Sequence, residues 1–589
     1  MKDTNCPKPS LPPKSPFLAP RRISSGILSS NSDHDDKSPF SIASHRSIID
    51  NGTVIEPEHK STLVGCTSNL ITAIVGAGII GIPYAMRETG LVAGILLIIF
   101  SGAVGCKSLR LLVETAKHVD ATSYEILCEA TFGGVGWILC NSNMFLMSWG
   151  PMLSYMMIVK DTAPIVLGFE SEEGQNMILI ICSVGIMLPL SLQRDIADLA
   201  KTSQICVIFD VFLVAMIAYY SPTSESITQN NGLLYILYNS TFRPSTCFIG
   251  LGIISFAFSC QHSSLIIAGS LENPTVARWQ KVTASALGIC SILAIVMGSF
   301  GYIGFMELTE GDIFNNFPLP SEGSDSIELA TAKAINVARG VLCGIMFFVY
   351  PLESYVARHV IMANLFRGRD AHEGDDHAVL DRWDRRVTTT IMLFLSVLIP
   401  ALHFNDVGLV LALTGTVAAT SLTYLLPGLI FIGVHGDEFL ALAERSWGCL
   451  SMDHFTTYHC IAWYLLLMPI WLGVARTGKR CLAFHREKKA LQTPAQTFRL
   501  GRIKHKLSLT RQPKSSEHGN FESSPMAVES NSGKDTQYGS LPSSVEEDDP
   551  QEEYQTTADF FVAIGFVAFG IVALASGLLS IYWSMTGYN

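Results

Sequence analysis

Charged residues are scarce in this chain of 589 residues. Only 15% of them are Asp, Glu, Lys or Arg, whereas 49% are hydrophobic and the mean hydropathy is +0.34. A soluble globular domain usually carries about 25% charged residues. The scarcity of charge therefore argues against a soluble protein and predicts an integral membrane protein.

Three sequence signals are also missing. The fourteen cysteines show neither the paired spacing of a disulfide framework nor a C-x-x-C metal motif. There is no H-E-x-x-H or comparable catalytic motif, so we do not expect a membrane enzyme or a metal site. The first residues lack the apolar core of a cleavable signal peptide, and we expect the first membrane helix to direct insertion.

Long apolar runs are what the sequence does contain. Residues 1–60 are rich in Ser and Pro and are expected to form a disordered cytoplasmic tail. A spanning helix needs about 20 apolar residues. Two groups of five predicted spans follow the tail, and an eleventh lies near the end: 63–86, 90–112, 140–168, 176–193, 203–220, 245–271, 282–305, 334–357, 387–403, 407–433 and 560–583.

Basic residues suggest how the chain is oriented and divided. Lys and Arg concentrate in the loops that are cytoplasmic if the N-terminus is cytoplasmic. We expect a transporter core at 61–433, a cytoplasmic insertion at 434–558, and a last span with a short outside C-terminus at 559–589. An apolar segment at 460–474 is interpreted as interfacial, because a basic stretch follows it and would lie near anionic lipid. A twelfth span is the alternative.

The first predicted span is interrupted by glycine. Gly76, Gly78 and Gly81 lie within six residues, and Pro83 follows them. In lipid every backbone N–H and C=O needs a partner, so a broken helix survives only where it lines a protected cavity. Transporters place such breaks at their substrate and ion sites. The alternative is a helix thinned by glycine for tight packing.

The sixth predicted span contains a matching interruption at 250–262, so each group of five opens with a broken helix. Paired breaks in two halves point to a transporter site. A channel would instead show repeated filter loops or charged rings. We therefore predict an all-α membrane protein of eleven helices with a LeuT-type five-plus-five inverted repeat, broken in helices one and six.

The chain resembles the amino acid/auxin permease family, and within it the SLC38-type and yeast vacuolar amino acid transporters. Four segments carry the resemblance, over about 370 residues: 69–86, 255–275, 350–358 and 413–427. The resemblance implies secondary active transport of free amino acids by a monomeric carrier in a lipid bilayer. It implies no nucleic-acid partner, and it favours a vacuolar, lysosomal or plasma membrane.

Two departures from the family bear on the coupling ion. The sodium-coupled branch has asparagine where this chain has Thr72, and threonine just before the eighth-helix proline. Here Phe347 and Val349 offer no side-chain oxygen, so we expect protons rather than sodium as the coupling ion, and no other cofactor. The alternatives are a sodium-coupled symporter and an amino acid sensor on a transporter fold. The absence of an obvious acid near Ala77, Phe256 and Ser259 favours neutral substrates, with a cationic substrate bound by Glu353 as the alternative.

Candidate site residues come from the two breaks and the motifs around them. The predicted substrate-binding residues are Gly76, Ala77, Gly78, Ile79, Ser255, Phe256, Ser259, Cys260 and Tyr155. The predicted ion-coupling residues are Thr72, Val75, His262, Tyr350 and Glu353. Acids inside a membrane are functional candidates, and for Glu353 a gating role and a structural ion pair with Arg358 are both open.

Overall fold

The computed structural model of the protein is helical in the part that it describes. It describes residues 61–169, 172–192, 199–272, 275–319, 326–365, 383–438, 472–486 and 550–586. Within these ranges, the one β-type contact is an isolated parallel bridge between Ser61 and Leu271. The predicted tail and most of the predicted insertion at 434–558, including most of the 460–474 segment, lie outside the described residues. The predicted all-α class is confirmed.

The first series of helices carries the first predicted break. It comprises α1 (Leu63–Ile80), α2 (Ile82–Thr89), α3 (Leu91–Val119), α4 (Tyr124–Leu167), α5 (Glu172–Cys182), α6 (Leu188–Ser191), α7 (Leu199–Tyr220), α8 (Thr223–Gln229) and α9 (Leu233–Asn239). The residues Ser183–Met187 between α5 and α6 are π-helical.

The second series carries the second break. It comprises α10 (Cys247–Ala257), α11 (Gln261–Ser270), α12 (Val276–Phe305), α13 (Ser326–Leu365), α14 (Trp383–His403), α15 (Val407–Thr414), α16 (Leu426–Val434), α17 (472–486) and α18 (Pro550–Thr586). Two π-helical segments, Gly415–Ala419 and Ser421–Leu425, join α15 to α16. Inserted π turns occur frequently at functional sites.

Nine of the described helical stretches are long and apolar enough to cross a membrane. They cover all the predicted spans except the first and the third. The apolar helical part of α1 ends at Gly76, which makes it shorter than a full span. The third span lies in α4, which is long but includes polar residues such as Lys160 and Asp161. The count of eleven and the inverted repeat stay predictions.

Two spans form the interior of the helical assembly. The most apolar windows of 247–270 and 407–434 are 83% and 78% buried, against 33–50% for the other seven. A helix that is apolar on all sides is buried on all sides. Glycines allow the close approach here: a Cβ on Gly415 would lie 1.9 Å from the carbonyl oxygen of Gly252. The second break is therefore held inside the protein.

Lys160 is a buried cation, 6% exposed, near one end of α4. Its ammonium donates to Asn405 Oδ1 at 2.7 Å and to the carbonyls of Ala401, Leu402 and Phe404, each at 3.3 Å. Two of these carbonyls belong to the last turn of α14, where the helix dipole favours a cation. The hydrogen bonds of Lys160 thus connect α4 to the end of α14.

At the same end of the molecule, the loop after α12 turns inward around Asp312. Asp312 is 2% exposed, and its Oδ1 accepts the N–H of Phe314 at 2.9 Å, while its Oδ2 has no hydrogen-bond donor among the described residues. The guanidinium of Arg339 on α13 donates to the carbonyls of Phe314 at 2.8 Å and Phe317 at 3.0 Å. The loop is therefore fastened to α13.

We expect Asp312→Asn to stabilise the protein more at pH 8 than at pH 5. Burial raises the pKa of Asp312 from its usual 3.8 to about 7, with Asp161 adding to the rise and Phe314 N–H and Arg339 opposing it. Between pH 3.8 and about 7 the folded state keeps a proton on Asp312 that the unfolded state has lost. The free energy of unfolding therefore decreases as the pH rises through this window and levels off above about pH 7. Asparagine keeps the acceptor but does not ionise, and a rise of about 3 °C at pH 8 is expected.

Thermal unfolding of the purified protein at the two pH values measures this effect. Glu225→Gln is the matched control, because Glu225 is an exposed acid on α8 that does not contribute to the raised pKa of Asp312. Equal shifts for Asp312→Asn at both pH values would contradict the expectation.

Candidate functional site

The first break lies within α1, at Gly76. Its backbone angles, φ −4° and ψ −135°, are not helical, although helix precedes and follows it. A Cβ on Gly76 would lie 2.7 Å from Tyr155 Oη, and a Cβ on Gly78 would lie 2.6 Å from Ala257 Cα. The lack of side chains at these two glycines therefore lets α1 contact α4 on one side and the end of α10 on the other.

The second break separates α10 from α11. Ala257 ends α10, Gln261 begins α11, and the residues between them are not helical. The N–H of Phe258 donates to the carbonyl of Ile254 at 3.1 Å, which is the helical pattern. The N–H of Ser259 donates to the carbonyl of Phe256 at 3.2 Å, only three residues before it. The matched breaks expected from the sequence are therefore present, and the Gly78–Ala257 approach brings them together.

A small cavity lies at this meeting point. Six of the predicted site residues line it: Gly76, Gly78, Tyr155, Phe256, His262 and Glu353. The remaining lining residues, Ala73, Ile74, Met147 and Pro151, are apolar. Small-ligand sites typically combine an apolar wall with a few polar groups.

His262 and Glu353 face each other in the cavity. The Nε2 of His262 lies 3.5 Å from Oε2 of Glu353, and the two residues are 3% and 5% exposed. Within the described part of the chain, neither ring nitrogen of His262 forms a hydrogen bond, and Oε2 of Glu353 forms none either. Arg358 does not take the role of partner to Glu353, since its Nη1 donates to the Ser191 carbonyl at 2.8 Å and lies 3.1 Å from Thr390 Oγ1.

Gln261 fixes the second break to two other helices. Its Oε1 accepts the N–H of Cys260 at 3.0 Å and the hydroxyls of Ser259 at 3.2 Å and Thr423 at 2.9 Å. Its Nε2 lies 3.5 Å from Ser108 Oγ on α3, which in turn donates to the Thr423 carbonyl at 2.7 Å. The break, α3 and the π-helical segment at Thr423 are joined in one buried hydrogen-bond network.

Several predicted substrate-binding residues lie beside the cavity and do not line it. Ser259 and Cys260 are engaged by Gln261, and Ser255 Oγ lies 3.3 Å from the hydroxyl of Tyr424. Ile79 lines a second, small apolar cavity between α1, α10 and α12. Ala77 is helical in α1, but its side chain is outside what the structure describes.

The other predicted ion-coupling residues are also spread over different surroundings. Thr72 donates its hydroxyl to the Ser203 carbonyl on α7 at 3.1 Å. Val75 lines the second cavity. Tyr350 is fully buried, and its hydroxyl has no hydrogen-bond partner among the described residues.

Gln261, Thr423 and Ser108 were not found by sequence reasoning. The one available signal was the polar pair Gln261-His262 in an otherwise apolar segment, which marks position 261 as a polar site at the break. Ser108 and Thr423 carry no local signal, because a hydroxyl residue in a membrane helix commonly bonds its own backbone.

Comparison with known families decides the class of the protein. Residues 59–471 match the profile of the family described as transmembrane amino acid transporter protein. The chain belongs to this family. It is therefore a multi-pass membrane protein that takes amino acids as substrates, and it is not an enzyme.

Individual relatives of this amino acid transporter agree over most of their length. The sodium-coupled neutral amino acid transporter 11 of Bos taurus is 29% identical over 427 residues, covering 69% of this chain and 86% of that protein. Vacuolar amino acid transporter 2 of Saccharomyces cerevisiae is 28% identical over 429 residues, covering 71% and 84%. The resemblance to the SLC38-type and yeast vacuolar transporters is confirmed.

Proposed function

We propose that the protein is a proton-coupled carrier of neutral amino acids, and that His262 and Glu353 form its coupling pair. The observation that carries the proposal is the 3.5 Å approach of His262 Nε2 to Glu353 Oε2 in the cavity between the two breaks. Burying an acid in a membrane helix costs free energy, and such acids usually face a partner or a functional cavity. Imidazole changes charge near neutral pH, so this pair is suited to gain and lose a proton.

In the proposed carrier, His262 and Glu353 are exposed to water from one side of the membrane at a time. When the cavity opens to one side, water reaches His262 and Glu353 and a proton binds to the pair. Coupling requires only that proton and substrate together favour one conformation over the other. The proton is released when the opposite side opens, and no covalent chemistry is involved.

Neutral substrates fit the charge of the cavity. Its one carboxylate, Glu353, already faces His262, and the remaining lining is apolar apart from Tyr155 and the backbone at the breaks. A lysine or arginine side chain would need a second acid, which the described lining does not contain. Neutral amino acids are also what the name of the Bos taurus relative specifies.

Sodium coupling is the alternative, since the same name describes a sodium-coupled protein. Sodium is a hard cation and needs oxygen ligands. The Thr72 hydroxyl is engaged with the Ser203 carbonyl, and Phe347 and Val349 have no side-chain oxygen. The proposal therefore prefers protons as the coupling ion. It places the N-terminus in the cytoplasm. It also places the protein in a vacuole-type membrane, because the yeast relative is named a vacuolar transporter.

Uptake into proteoliposomes tests the proposal. Labelled neutral amino acids should accumulate under an imposed proton gradient without sodium, and unlabelled neutral amino acids should compete better than lysine or glutamate. The control is the same vesicle with the gradient collapsed by a protonophore. Accumulation that requires a sodium gradient would reject proton coupling, and competition by lysine alone would reject neutral substrates.

A further inference from the structure

The helix α17 carries an unusual charge for a segment packed against membrane helices. Residues 472–486 contain Arg476, Lys479, Arg480 and Arg486 and no acidic residue. All four of these side chains are exposed, and so is Phe484, which is 70% exposed. Lys479 forms an ion pair with Asp437. Arg476, Arg480 and Arg486 have no acidic partner within the described ranges.

The opposite face of α17 is held firmly by the membrane helices. Ala475, Gly478 and Leu482 are buried, and their spacing places them on one side of the helix. A Cβ on Gly478 would lie 2.2 Å from the carbonyl oxygen of Gly433, and one on Gly436 would lie 2.7 Å from that of Ala475. Such contacts require that the two backbones touch, so α17 is fixed to the end of α16.

This attachment places α17 at the level of lipid headgroups. Gly433 lies one residue before the end of the predicted span Val407–Val434. A helix docked there, with cations and an exposed aromatic side chain on its outer face, has the composition of a helix that lies at the membrane interface. Clusters of four or more Lys and Arg beside a membrane span attract anionic phospholipids.

We propose that the exposed face of α17 binds the headgroups of anionic phospholipids and that this binding stabilises the helical core. Arg476, Arg480 and Arg486, which have no acidic partner among the described residues, supply the charge. A guanidinium can hold a phosphate with two parallel hydrogen bonds. Phe484 supplies an apolar contact beside them. Because α17 is fixed to α16 through backbone contacts, a lipid that orders α17 also restrains the end of a buried span.

Thermal unfolding of the purified full-length protein in detergent tests the proposal. Phosphatidylserine added to the micelles should raise the unfolding midpoint by several degrees more than the same amount of phosphatidylcholine. In Arg476→Gln/Arg480→Gln this additional shift should fall by about half or more. Arg476→Lys/Arg480→Lys should keep most of it, because the charge remains.

A matched control removes two cations elsewhere. Lys281→Gln/Lys333→Gln changes two exposed lysines on α12 and α13 and should leave the phosphatidylserine shift at its wild-type size. The unfolding midpoint in phosphatidylcholine shows that each variant is folded. An undiminished shift in Arg476→Gln/Arg480→Gln, or an equal loss in the lysine control, would overturn the proposal.

Two further arms identify the occupant. Glycerophosphoserine carries the same headgroup without acyl chains, and a shift equal to that of the lipid would replace the lipid with a soluble anion. The chain also contains its own acidic segment at residues 546–549. If neutralising that segment destabilises the protein in phosphatidylcholine as much as Arg476→Gln/Arg480→Gln does, the occupant is this segment and the proposal fails.

Discussion

Glu353→Gln is expected to abolish accumulation of amino acids under a proton gradient while leaving exchange intact. The substitution keeps the size of the side chain but removes its ability to ionise, so His262 loses the partner that lies 3.5 Å away. Proton-driven accumulation should fall about tenfold or more, because a buried group that binds the coupled proton has no nearby substitute. Exchange of labelled for unlabelled substrate needs no net proton movement and should stay within about twofold of wild type.

The measurement is uptake into proteoliposomes in two modes, with and without a gradient. Exchange serves as the test of folding and of substrate binding. Glu114→Gln is the matched control, since Glu114 is a partly exposed acid on α3 that pairs with Arg110 away from the cavity. Accumulation that survives in Glu353→Gln would remove Glu353 from the coupling mechanism, and loss of both modes would assign it to substrate binding or folding.

Gly76→Ala is expected to impair transport strongly, and Tyr155→Phe is expected to rescue it. The new methyl group would lie 2.7 Å from Tyr155 Oη, whereas the next tyrosine atom is 3.6 Å away, an ordinary contact. Overpacking of this kind costs about 1–3 kcal/mol, enough for roughly a tenfold loss of transport. Removing the hydroxyl removes the clash, so Gly76→Ala/Tyr155→Phe should transport about as well as Tyr155→Phe alone.

Gly78→Ala provides the matched comparison. Its methyl group would lie 2.6 Å from Ala257 Cα, which is backbone and cannot be shortened by a side-chain substitution. Tyr155→Phe should therefore fail to rescue it. The readout is exchange per reconstituted molecule, measured for all single and double variants. Equal rescue of both glycine variants, or of neither, would contradict the geometry of the two contacts.

The sequence predicted the helical class, the matched breaks and two charged residues that the structure places in one cavity. The helical class and the breaks could be predicted because their signals are local: an apolar chain with a cluster of glycines shows both directly. His262 and Glu353 were each recognisable from their own segments, although their approach across two helices was not.

The direction of side chains on buried helices could not be read in the same way. A helix that is apolar on all sides has no periodic pattern that marks its inner face. Ser255 and Ser259 were therefore expected at the substrate, whereas their hydroxyls contact Tyr424 and Gln261. The alternative of a Glu353–Arg358 ion pair was likewise based on closeness in sequence, which does not show where a side chain points. In the structure Arg358 contacts the Ser191 carbonyl.

The network around Gln261 has a consequence for how the carrier responds to acid. A glutamine amide does not titrate, so the hydrogen bonds from Cys260, Ser259 and Thr423 to its side chain persist over the whole physiological pH range. The shape of the second break is thereby insulated from pH. A protonated histidine at position 261 would offer no acceptor to these donors, so the hydrogen bonds that shape the break would then depend on pH.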